Sequence, residues 1–179
     1  MESVVINAKL DLAVTDAAPP TPGTGQVRVR VGYVGICGSD LHYYFEGANG
    51  AFVVAEPLVP GHEVAGWVEE DPSGRYAAGT PVTIHPARFG TPLPEIVDAP
   101  HLWPGGSYLG SASTMPHTQG AMSGAFLVDV DMLRPLPSAL PVRRAEARAV
   151  RWLIQQRFGG GWRETNWIVL GDLNGYRYG

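Results

Sequence analysis

Gly35-Ile36-Cys37-Gly38-Ser39-Asp40-Leu41-His42-Tyr43-Tyr44, followed by Pro60-Gly61-His62-Glu63-Val64-Ala65-Gly66, is the stretch on which the reading of this chain turns. It holds the only cysteine of the sequence, beside a hydroxyl and an imidazole, and a second histidine with a carboxylate next to it. One thiolate and one imidazole suit a catalytic zinc, which takes about three protein ligands and keeps a position open for water or substrate. A structural zinc site normally wants four ligands, several of them Cys, and a single Cys does not supply them.

The surroundings are rich in strands. Gln26-Val27-Arg28-Val29-Arg30-Val31 alternates with strict period two, the pattern of a half-buried strand. Met1 to Val14 also alternates and is expected to be a hairpin, closed off by the loop Ala18-Pro19-Pro20-Thr21-Pro22-Gly23. Further strands are expected from Glu63 to Glu70, from Gly79 to Ile84 and from Gly124 to Asp129. The Cys37 segment is expected as a turn opening a short helix, with Asp40 as its cap. With 23 Gly and 16 Pro in 179 residues, turns recur too often for long helices. Many short strands between such turns suggest a compact β-barrel.

The pattern G-x-C-G-S-D-x-H-Y, then P-G-H-E-x-x-G-x-V, resembles the zinc-dependent medium-chain dehydrogenases, in the branch of the sorbitol and L-idonate 5-dehydrogenases. The resemblance runs from the N-terminus to about Pro141. It implies a mostly β chain whose residues 1–141 form a GroES-like β-barrel catalytic domain with short helices. It also implies that Cys37 and His62 bind one catalytic zinc, with Glu63 a neighbouring carboxylate able to approach the metal or to orient the groups around it. Ser39 would pass the substrate proton toward His42, although Ser39 also reads as a helix cap. Tyr43 would line the substrate pocket, while Tyr43, Tyr44 and Phe45 read equally as plain core. The implied reaction is oxidation of a secondary alcohol of a polyol or sugar acid to a ketone, with hydride passing to NAD(P).

Two departures from the family pattern shape the expectations. Residues 85 to 120 form a long Pro-rich stretch where many family members hold a second, structural zinc through four cysteines; here none is present, so no structural zinc is expected. The lobe is then expected to be held by packing of Phe89, Leu102, Trp103 and Tyr108, with His85, His101 and His117 at the surface or hydrogen-bonded. After Pro141 the text changes. Arg144 to Phe158 reads as an amphipathic helix stopped by Gly159-Gly160-Gly161, and Trp167-Ile168-Val169-Leu170 as a buried strand. The family's third zinc ligand is a glutamate in an E-P-L-A-V-like segment, and Glu146 stands in different surroundings. Gly171, Gly175 and Gly179 do not fit the G-x-G-x-x-G of a nucleotide-binding domain, so no residue is assigned to a nicotinamide. Asn166 to Asn174 instead resembles the strand and G-D-x-N motif of the endonuclease/exonuclease/phosphatase family, which would nominate Asp172 and Asn174, but one strand cannot assemble such a site. Residues 142–179 are expected as a helix–strand appendage, foreign to the dehydrogenase pattern or cut short.

Composition narrows the rest. The chain is 45% hydrophobic and 17% charged with a net charge of -4, so a packed core is expected and a basic surface for nucleic acid is not. No apolar run approaches the roughly 20 residues of a membrane span. The start, Met1-Glu2-Ser3-Val4, lacks the basic and apolar regions of a signal peptide, and one unpaired Cys suits a reducing cytoplasm. The expectation is therefore a cytoplasmic dehydrogenase catalytic-domain fragment without activity alone, its ligand a small polyol or sugar acid and its oligomeric state open. Two alternatives stand beside it: a non-enzymatic β-barrel interaction module and a metal-dependent phosphodiesterase fragment. Zinc binding that depends on Cys37 separates the first from both.

Overall fold

The computed structural model describes residues 1–137. Glu146, Asp172 and Asn174, with the expected helix and strand of the appendage, lie outside the described residues. Within 1–137 the chain is mostly β. Strands β1 (Glu2–Ala8) and β2 (Asp11–Asp16) form the expected hairpin, followed by β3 (Gln26–Val34) and helix α1 (Gly38–Glu46). The short pair β4 (Ala48–Asn49) and β5 (Phe52–Val53) leads to β6 (Val64–Glu70) and β7 (Pro81–Ile84). A second short pair, β8 (Ala87–Arg88) and β9 (Ser107–Tyr108), precedes β10 (Ala125–Asp129) and β11 (Leu133–Pro135). Among the described residues no helix is long and apolar enough to cross a membrane.

The main sheet has five antiparallel strands in the order β10-β3-β6-β7-β11. Its inner face follows from the period-two pattern of β3. Val27 and Val29 are fully buried and pack with Val64, Val68, Val82, Phe126, Val128 and Leu133. Removing each such side chain from water contributes about 1.5–3 kcal/mol. The alternate residues of β3 face outward and are matched there. Arg28 reaches Glu69 at 2.8 Å and Glu70 at 2.9 Å, and Arg30 lies 4.3 Å above the Trp67 ring.

A smaller core joins Ile6, Tyr43, Leu58 and Ala112, and it fixes α1 against the rest. Here β1 is tied in by the backbone. Ile6 N–H donates to Leu58 O at 2.8 Å, Leu58 N–H to Ile6 O at 2.9 Å, and Val4 N–H to Met122 O at 2.8 Å. Tyr43 brings α1 to this cluster because it sits on the inward face of the helix.

The lobe between β7 and β10 differs from expectation. Leu102 is 61% exposed, Phe89 44% and Tyr108 41%, with Trp103 half-buried, so those residues form no buried apolar core. Hydrogen bonds hold it instead. The β8–β9 pair is continued by Thr91 N–H to Pro104 O at 2.9 Å and Leu109 N–H to Pro86 O at 3.1 Å. Trp103 Nε1–H donates to Ile96 O at 3.0 Å, and its ring meets the edge of Phe89. The three histidines stand as expected, two hydrogen-bonded and one at the surface. His85 Nδ1–H donates to Ala87 O at 3.1 Å. His117 is buried, donates from Nδ1 to Thr114 O at 2.8 Å and accepts the Ala55 N–H on Nε2 at 3.0 Å. His101 is exposed on a cavity wall.

Candidate metal and substrate site

Two chain segments meet at the site: the β3–α1 junction carrying Cys37, and the loop before β6 carrying His62 and Glu63. The helix begins at Gly38, with Cys37 as the residue before it. Asp40, expected as the cap residue, stands in the third helical position and reaches back: its Oδ2 accepts the Cys37 N–H at 2.8 Å. Its other oxygen accepts the Gly61 N–H at 3.0 Å, so one buried carboxylate joins both ligand-bearing segments. Burial raises the Asp40 carboxyl above its ordinary pKa, while the two backbone N–H groups and the nearby His62 charge pull it back down. Gly61 has φ of 94°, and a Cβ there would press on Met122 and Val34, so only glycine lets the loop turn at this point.

The ligand atoms of Cys37, His62 and Glu63 all lie within 4.8 Å of one another. Ligand atoms around one tetrahedral zinc lie roughly 3.3–3.8 Å apart, so this spread and the S, N, O donor set suit a single ion. Gly35 makes room for the carboxylate. Its N–H donates to Glu63 O at 2.7 Å, and a Cβ on it would lie 2.4 Å from Glu63 Oε2. The His62 ring is flanked by the edge of Tyr108 at 5.2 Å between centroids.

Cys37 and His62 open onto a cavity of about 850 Å³, whose wall also includes Ser39 and His42. Ser39 and His42 thus face the same space, and no hydrogen bond joins them directly. His42 Nδ1 is 3.0 Å from Glu46 Oε1, one turn further along the helix. Nε2 makes no hydrogen bond among the described residues. Tyr43 borders the cavity as well, yet it is 2% exposed and its hydroxyl is engaged by the Ala112 N–H at 3.1 Å and by Ser111 Oγ at 3.2 Å. Tyr44 packs against the smaller core, and Phe45 is 54% exposed; neither lines the cavity. The cavity wall also brings residues that sequence reading did not single out, among them Asn49, Arg88, Ser111 and Ser113. Arg88 is held by Asp129 through two contacts of 2.5 and 2.6 Å. No sequence motif marks these positions, because the fold alone brings residue 111 to residue 43.

Residues 23–138 match the alcohol dehydrogenase GroES-like domain, and the chain belongs to that family. An L-idonate 5-dehydrogenase (NAD(P)(+)) of Escherichia coli is 33% identical over 138 residues, covering 76% of this chain and 40% of the relative. A sorbitol dehydrogenase of Macaca fascicularis is 46% identical over 68 residues, 38% of this chain and 19% of the relative. The crystal structure of L-idonate 5-dehydrogenase from Escherichia coli superposes with a TM-score of 0.72 at 30% identity, over 79% of this chain and 41% of that one. The chain thus spans less than half the length of each of these relatives. The match agrees with the GroES-like dehydrogenase domain expected from the two motifs.

Proposed function

We propose that residues 1–137 are the metal- and substrate-holding part of a zinc-dependent, NAD(P)-linked dehydrogenase that oxidises a secondary alcohol of a polyol or sugar acid to a ketone. The observation that carries this reading is the convergence of Cys37, His62 and Glu63, with Cys37 and His62 on the wall of a cavity also bordered by Ser39 and His42. Cys37 and His62 would hold zinc, with Glu63 beside it as a further ligand or as the group that orients the other two. Bound there, zinc supplies the Lewis acidity that lowers the pKa of a coordinated alcohol.

The chain's own residues then deal with the proton and the position of the substrate. The Ser39 hydroxyl both accepts and donates, so it can take the alcohol proton and release its own. His42 lies in the next turn of α1, with Nδ1–H committed to the Glu46 carboxylate. Its Nε2 lone pair is therefore the acceptor, reached from Ser39 through a change of rotamer or one water, and its exposure lets the proton leave to solvent. Asp40 keeps the Cys37 and His62 segments at a fixed separation throughout. Tyr43 supplies a rigid apolar border. Residues 1–137 contain no G-x-G-x-x-G, so the hydride acceptor would be held elsewhere.

The test is polyol binding, followed by NMR shifts at millimolar sorbitol or L-idonate, on zinc-loaded and zinc-stripped chain. Binding only in the loaded form supports the reading; identical shifts in both forms contradict it. For the 179-residue chain by itself we propose no turnover, and steady NAD(P)H formation from sorbitol would overturn that part.

A further inference from the structure

A directed chain of hydroxyls runs from the smaller core to the cavity wall and ends on a free donor. The Ala112 N–H donates to Tyr43 OH at 3.1 Å, and because Ser111 Oγ gives its one proton to Ser113 Oγ, the 3.2 Å contact between Tyr43 OH and Ser111 Oγ is donated by the tyrosine. Ser111 Oγ in turn donates to Ser113 Oγ at 3.0 Å, and it accepts the Ser113 N–H at 3.2 Å. Each oxygen thus receives from one neighbour and gives to the next. Among the described residues nothing accepts the hydroxyl proton of Ser113. Ser113 is exposed, and it borders the same cavity as Cys37, Ser39 and His62.

Two physical consequences follow. Hydrogen bonds in series polarise one another, so the last hydroxyl of the chain is a stronger donor than a lone surface serine. The chain is also anchored at its root, because Tyr43 is fixed in the smaller core and its hydroxyl is pinned by a backbone amide. A donor that is already oriented costs less entropy when a ligand meets it.

We infer that Ser113 is a specificity-determining residue, donating its hydroxyl proton to a substrate oxygen remote from the reacting carbon. The site then selects polyhydroxylated chains over simple secondary alcohols. A short alcohol leaves Ser113 to water and gains nothing from it. A polyol places a second oxygen on the preorganised donor while its reacting hydroxyl occupies the metal end. This inference rests on the proposed dehydrogenase reading of the cavity.

The experiment compares the zinc-loaded full chain with Ser113→Ala and Ser113→Thr, using NMR titration with sorbitol and with 2-propanol. Ser113→Ala is expected to weaken sorbitol binding by about three- to tenfold, the worth of one hydrogen bond, and to leave 2-propanol unaffected. Ser113→Thr keeps the hydroxyl and is expected to bind sorbitol as the unaltered chain does. Sorbitol binding that is unchanged in Ser113→Ala overturns this inference and leaves the dehydrogenase reading standing. Absence of sorbitol binding by the unaltered zinc-loaded chain overturns both.

Discussion

Asp40 Oδ1 accepts the backbone N–H of Gly61 at 3.0 Å, and through this bond the helix that follows Cys37 is locked to the loop that delivers His62 and Glu63. The other oxygen of the same carboxylate holds the Cys37 N–H at 2.8 Å. The geometry of the candidate metal site therefore depends on a residue that is not one of its three possible ligands.

Asp40→Ala leaves two buried N–H groups without acceptors, each costing about 1–3 kcal/mol. The expected outcome is a clear drop in thermal midpoint. Zinc affinity should fall about 10- to 100-fold, as for other groups that orient ligands. Calorimetric unfolding and a competitive zinc titration read the two effects separately; a variant with lowered stability and unaltered zinc affinity would show that Asp40 serves the fold alone.

Gly35→Ala places a methyl 2.4 Å from Glu63 Oε2 and must displace that carboxylate. Gly38→Ala is the control, because a Cβ there meets nothing within 4 Å. Zinc affinity is expected to fall in the first variant and to stay level in the second. Equal affinities would mean that Glu63 takes no part in the site.

Leu58→Ala removes a fully buried side chain from the cluster that seats β1 against α1. A loss of about 2–5 kcal/mol is expected in denaturant unfolding. Leu102→Ala, at a side chain 61% exposed, should change stability by less than about 0.5 kcal/mol. A large effect of the second substitution would restore the apolar lobe core that the sequence suggested.

His117→Ala takes away the acceptor of the Ala55 N–H and the donor to Thr114 O. About 1–3 kcal/mol of stability should go, with zinc content unchanged, since His117 is no member of the cluster formed by Cys37, His62 and Glu63.

The strands and the candidate trio at the site were legible because each leaves a local signature. Val27 and Val29 alternate with Arg28 and Arg30, and period two in sequence is the two faces of a sheet. Cys37, His62 and Glu63 stand in two short motifs, and the fold brings their possible ligand atoms within 4.8 Å of one another. The lobe was misread for a physical reason: aromatic and Leu side chains in a Pro-rich stretch look like core, but here backbone pairing does the holding and Leu102 faces water. Asp40 was legible as a helix-start residue, while its second bond to Gly61 is a tertiary contact with no local trace. The same holds for Ser111 and Ser113, which reach the site only because β9 and the turn after it fold back over Tyr43.

The central claim is that Cys37 and His62 build a zinc site, and zinc per chain in the purified protein tests it most directly, with Cys37→Ser and His62→Ala as controls. About one zinc per chain, lost in both variants, is the predicted result. No zinc in the unaltered chain, or a zinc content indifferent to both substitutions, would contradict it.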